Sequence, residues 1–139
     1  MNAKLFLVLA CLLSAVGLAH SQQLTREIHP DLLLEGFWEA EGDVCRVQFE
    51  RETDSTYQAR IIWVPQEKDK HLENTVFIKG IWHNATDKKW YSDSIYQPRF
   101  KMTGKGYIEL REDGKLFILG RKLGIKKSET FVFIPANAR

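Results

Sequence analysis

Cys45-Arg46-Val47-Gln48-Phe49-Glu50 and, shortly after it, Tyr57-Gln58-Ala59-Arg60-Ile61-Ile62-Trp63 decide how this chain folds. In the first, Cys45, Val47 and Phe49 alternate with Arg46, Gln48 and Glu50. In the second, Tyr57, Ala59, Ile61 and Trp63 alternate with Gln58, Arg60, Ile62 and, just beyond the stretch, Val64. A period of two puts every second side chain on one face, so each stretch reads as a strand with one side on a core. The same pattern recurs outward in both directions. Phe37 to Glu41 precedes it, and Thr75 to His83, Lys89 to Tyr96, Gly106 to Arg111, Lys115 to Lys122 and Glu129 to Ile134 follow, giving eight strands rich in β-branched and aromatic residues.

The joints between these runs are short and carry turn residues. Asp113-Gly114 between Leu110 and Leu116 is the strongest hairpin signal, because a tight turn needs the positive φ that glycine tolerates. Glu52 to Ser55, Asn84 to Lys88 and Gly124 to Lys127 serve similarly, while Pro65 to Glu73 reads as a longer, charged, mobile surface loop. Only Pro30 to Glu35 looks helical, for a turn or two. Sequential strands joined by hairpins make an antiparallel meander. Closure removes the edges of such a sheet, so the expected fold is all-β: a single antiparallel up-and-down barrel of eight strands, lipocalin-like in architecture, behind a short N-terminal helical turn. A sandwich would need Greek-key crossovers, and few connections are long enough.

The 139 residues, 44% hydrophobic and 27% charged, have the balance of one globular domain. Twenty Lys+Arg against eighteen Asp+Glu leaves +2, too even for a protein whose partner is a nucleic-acid backbone. Residues 1–21 read as a secretory signal peptide: Lys4, the apolar run Leu5 to Ala19, and small residues at Ala19 and Ser21, with the cut before Gln22. The run is too short to span a bilayer, so the mature chain is expected to have no transmembrane segment and to be periplasmic or secreted. A lipoprotein start at Cys11 is the weaker alternative, because few apolar residues precede it and a greasy tail would follow. Cleavage leaves residues 22–139 as the barrel domain. Cys45 is then its single cysteine, so no internal disulfide forms and the core alone carries stability.

Gly36-x-Trp38, Ile61-Ile62-Trp63, Asp69 and Asn74 in the charged loop, Gly80, Trp90, Ile95-Tyr96-x-Pro98 and Asp113-Gly114-x-Leu116 follow one another in this order. The order resembles the exported bacterial family catalogued as domain of unknown function 2147, and Gly36-x-Trp38 by itself resembles the Gly-x-Trp signature of lipocalin-like (calycin) barrels. The resemblance runs from Gly36 to about Phe133 and implies the fold, export, and a structural role for Gly36 and Trp38 as the plug of the closed barrel end. It implies no chemistry. Two positions depart from the pattern: Asn74-Thr75 stands where the family continues Asn-Pro, and Phe131-Val132-Phe133 where it ends Trp-x-Arg.

Among functional candidates, Trp63, Trp82, Trp90 and Tyr96 lie near strand ends, where amphipathic rings suit the mouth of a ligand pocket. Inward small residues (Ala59, Gly80, Ser92, Ser94) would leave room for a cavity, and Tyr57, Ile61, Val76 and Ile78 would line the interior. Glu39, Glu41 and Asp43 cluster, but two of them share one strand face and no nucleophile sits beside them, so they read as a solvated surface rather than a catalytic pair. His71, His83, Asp69 and Asp93 lack metal-ligand spacing. Cys45 reads as a buried small hydrophobe, and Arg121, Lys122, Lys126 and Lys127 as a basic, solvated loop face around Gly124. Asn84-Ala85-Thr86 fits the N-glycosylation pattern on a hairpin tip, and Asp54-Ser55-Thr56 and Asp93-Ser94-Ile95 fit a bacterial O-glycosylation pattern. The expected function is binding of a small apolar or amphipathic ligand inside the barrel, without cofactor, metal or catalysis. The alternative is a solid-cored structural or protein-interaction module acting through its loops.

Overall fold

Eight antiparallel strands close on themselves in chain order: β1 (Phe37–Ala40), β2 (Arg46–Arg51), β3 (Tyr57–Trp63), β4 (Val76–Asn84), β5 (Lys89–Gln97), β6 (Met102–Leu110), β7 (Leu116–Lys122) and β8 (Ile125–Ile134). This computed structural model describes residues 29–42 and 45–137. The expected leader, Cys11 and Asp43 lie outside the described residues. Closure runs through β1 and β8, with Trp38 opposite Phe133 and Ala40 opposite Phe131. The up-and-down barrel read from the alternation is therefore the fold. Among the described residues no helix is long and apolar enough to cross a membrane.

One end of the barrel is solid. Trp38, Val47, Phe49, Tyr57, Ile81, Trp90, Ile108 and Leu116 are buried there. The 3-10 turn Pro30–Leu34 lies across this end, fastened by two indoles: Trp38 Nε1 donates to the Leu33 carbonyl at 3.2 Å, and Trp90 Nε1 to the Pro30 carbonyl at 3.3 Å. Each bond satisfies a polar group that would otherwise be stranded in an apolar core. Gly36 leads into β1 at φ +85°, and a Cβ there would stand 2.5 Å from the Ile134 carbonyl oxygen, so only glycine fits. Phe133, where the resembled pattern has an arginine, sets its ring 5.2 Å from Trp38 in an edge-on contact. An aromatic edge thus covers the plug tryptophan.

Asp31 ties the same turn to the barrel, accepting from Arg51 Nη2 at 2.6 Å and from the Tyr57 hydroxyl at 2.5 Å. The tyrosine bond, reinforced by Arg51, holds its carboxyl below the ordinary 3.8. A depressed carboxylate contributes stability that is present above its unfolded value and is lost as pH falls through its folded value. Asp31→Asn should therefore lower the urea midpoint at pH 7, and the gap from wild type should close as pH drops below about 4. A gap unchanged in strong acid would contradict this tie.

Four details of the chain differ from the sequence expectations, each for a local reason. Residues 65–73 contain a second 3-10 turn, Glu67–Leu72, pinned where Lys70 Nζ donates to the Val64 carbonyl at 2.8 Å and to Glu73 at 2.9 Å. β8 begins at Ile125, so Lys126 and Lys127 are strand residues, and the β7–β8 turn is only Leu123-Gly124. β6 begins at Met102, well before the expected start. Finally, bulges switch side-chain parity in three strands. Between Ala59↔Ile78 and Arg60↔Val76 the extra residue is Phe77, which leaves Val76 on the face of Arg60. The bulge in β5, between Ser92 and Ile95, moves no tryptophan, whereas the one in β3 and the second one in β4 do, as described next.

Candidate functional site

The other end of the barrel is open. A cavity of about 1000 Å³ enters between the β1–β2 turn, the 64–72 segment, the β5–β6 turn and the β7–β8 hairpin. Its wall includes the apolar Ile61, Val64, Leu72, Phe77, Ile118 and Phe131. Space exists because neighbouring inward positions carry no side chain: Gly104 and Gly120 line the cavity, and Gly106 lies opposite Gly120 in the β6–β7 ladder. Ile95 lies over this glycine surface, its Cγ2 within 3.6 Å of where a Gly120 Cβ would be. Of the small residues singled out in the sequence, Ala59 and Ser92 are buried, Ser94 is half-buried and Gly80 is exposed on a bulge.

The four aromatic candidates are not brought together. Tyr96 lines the cavity. Trp90 is buried at the closed end, bonded to Pro30, with His83 edge-on at 5.0 Å. Trp63 leaves the interior because Arg46↔Trp63 follows Val47↔Ile61: the extra residue in β3 turns Trp63 to the outer face, where the Arg46 guanidinium sits 5.0 Å from its ring. Trp82 is likewise turned outward, 45% exposed, by the extra residue between Ile78 and Ile81. There it stacks on Tyr91 at 5.2 Å and starts a cross-strand row through Tyr107 to Phe117, capped by Lys89 and Arg111. Such aromatic pairs stabilise a sheet. The apolar part of the cavity wall is therefore mainly aliphatic residues and phenylalanine, with Tyr96 alone of the four candidates on it.

Its rim carries charge, part of it from the basic, solvated residues around Gly124. Lys68, Arg99, Arg121, Lys122 and Lys127 line the mouth, against the carboxylates Asp69 and Glu129. Those seven groups alone give the mouth +3, more than the net charge of the whole chain. Lys127 faces inward because it is paired with inward Gly120, and its Nζ lies 4.6 Å from the Phe100 ring. Burial, with Glu41 nearby, raises the Glu129 carboxyl above its usual range, and Arg99 partly opposes this. Cys45 also lines the wall, and burial, then Glu129, pushes its thiol up to about 11. At neutral pH it is a thiol rather than a nucleophilic thiolate.

The acidic cluster is held in surface pairs: Glu39 with Arg46 at 3.0 Å and Glu41 with Lys115 at 2.7 Å. Asp69 and His71 line the mouth, whereas His83 lies by Trp90 at the opposite end. Among the described residues no three His, Cys, Asp or Glu side chains gather as a metal site. The fold and this cavity define a class: a small closed β-barrel, solid at one end, with an apolar pocket and a cationic rim at the other. Compared with protein-family models, curated proteins and solved structures, the chain matches none.

Proposed function

We propose that this protein binds one small amphipathic molecule, its apolar tail inside the open half of the barrel and an anionic head at the mouth. The supporting observation is the pairing of an apolar, half-open cavity of about 1000 Å³ with five cationic side chains at its rim. That volume lies at the upper end of the ~300–1,000 Å³ typical of small-molecule sites. Each tail methylene moved from water into the cavity contributes about 0.8 kcal/mol, while the rim cations orient the head and reward negative charge. We place this activity in an exported protein, processed before Gln22 and of lipocalin-like lineage, acting as a binding protein rather than an enzyme.

A neutral environment-sensitive naphthylamine dye tests the cavity itself. It should bind one per chain with a rise in fluorescence. Gly120→Leu should weaken it at least ~tenfold by filling the cavity, since the new side chain starts in ordinary contact with Ile95 rather than in a clash. The urea midpoint should stay the same or rise. Across a series of competing alkyl carboxylates, affinity should change about fourfold per methylene. Absence of saturable dye binding, or equal binding by Gly120→Leu, would remove the proposal.

A further inference from the structure

We propose that the mouth of the barrel docks on an anionic lipid bilayer, with the β7–β8 tip inserted among the lipids. Leu123 at that tip is 87% exposed, Ile125 beside it 50%, and Phe100 on the neighbouring β5–β6 turn 47%. The tip is a two-residue turn with both central residues at positive φ, Leu123 at +51° and Gly124 at +79°. Asparagine, aspartate or glycine suits the first of these positions, and a bulky apolar side chain there is held against a steric penalty. Folding therefore does not account for this leucine, which gains neither burial nor an easy backbone from its place.

The surroundings point to one occupant. Arg121, Lys122, Lys126 and Lys127 flank the tip, and Arg99 and Lys101 flank Phe100 on the next turn. Among the described residues none of these six makes an ion pair, so their charge is available to an outside partner. The Lys127–Phe100 contact at 4.6 Å joins the two turns into one ridge. Apolar groups on projecting tips, ringed by cations, complement a plane of lipid phosphates with hydrocarbon beneath it. A folded protein partner would instead need a flat or concave apolar patch to cover. Docking in this orientation turns the cavity mouth toward the bilayer, and four of the six cations, Arg99, Arg121, Lys122 and Lys127, line that mouth as well.

Sedimentation with vesicles tests this, using the chain as its host makes it, so that residues 1–28 are the same in every variant. Vesicles of phosphatidylcholine with one quarter phosphatidylglycerol should bind the protein, pure phosphatidylcholine far less, and high salt should release it. Leu123→Ser should lower partitioning roughly tenfold at unchanged charge, and Lys122→Gln/Lys126→Gln/Lys127→Gln more than tenfold. Val132→Ser, which removes an exposed aliphatic residue from the far end of β8, should change nothing, and urea midpoints should confirm that all variants fold. Three results would overturn the proposal: no preference for the anionic vesicles, Leu123→Ser binding as well as wild type, or a soluble dimer that Leu123→Ser dissolves without any vesicle binding.

Discussion

Replacing Trp38 by alanine should destabilise the barrel by about 3–5 kcal/mol, read as a drop in the urea midpoint at unchanged m-value. Three losses combine. The indole is 2% exposed, so its removal leaves a cavity in the solid end. Its N–H no longer reaches the Leu33 carbonyl, which loosens the 3-10 turn over that end. The edge contact with Phe133 on β8 also goes, at the seam where β1 and β8 close the barrel. Trp38→Phe separates these contributions, because it keeps most of the packing and loses the hydrogen bond, for which about 1 kcal/mol is expected. A loss below about 1 kcal/mol for Trp38→Ala would mean that the closed end is not held by this residue.

Gly106→Ala should be nearly as severe, at about 3 kcal/mol, although it adds only one methyl group. A Cβ at Gly106 falls well inside contact distance of the Leu119 carbonyl oxygen and 2.8 Å from Ile95 Cδ1. Ile95 can turn aside, but the carbonyl belongs to the β6–β7 ladder and cannot move without parting the two strands. Gly120→Ala is the matched control. It lies directly opposite, and its Cβ meets Ile95 only at ordinary contact distance, so its effect should stay within about 0.5 kcal/mol. Similar losses at both positions would contradict the close approach at Gly106.

The first of these sites also marks where the fold is legible in the sequence. Alternation in 45–50 and 57–61, the Asp113-Gly114 turn and the Gly36-x-Trp38 entry each report a local rule, and each appears in the barrel. Bulges are different. The extra residues at Ile62, Phe77 and Lys79–Gly80 depend on how two strands align, and a single extra residue sends every later side chain to the other face. That is why Trp63 and Trp82 lie outside the barrel although their places near strand ends suit its mouth. Trp90 was hidden for another reason: its partner, the Pro30 carbonyl, comes from a segment far away in sequence.

The cavity left fainter marks. Gly104, Gly106 and Gly120 occupy inward positions of adjacent strands, a visible vacancy once the ladder is known but three ordinary glycines before it. The basic run at 121–127 is solvated, as its sequence reads, and a β7–β8 turn of only Leu123-Gly124 also carries it to the cavity rim. Shortening the turn extends β8 and aims Lys127 inward. Arg99 and Lys68 come from separate loops, and only closure of the barrel brings them to the same rim.

Competition at the open end bears most directly on the function assigned to it. With the neutral dye bound, the protein is titrated at moderate ionic strength with three ligands of equal tail length: dodecanoate, dodecanol and dodecylammonium. Displacement is expected with one dodecanoate per chain, roughly tenfold tighter than dodecanol, with dodecylammonium weakest. Lys122→Gln/Lys127→Gln should abolish most of the preference for the carboxylate, and Glu129→Gln should enlarge it, both without changing the affinity for dodecanol. Dodecylammonium binding as tightly as dodecanoate, or no displacement by any of the three, would contradict a pocket for anionic amphiphiles.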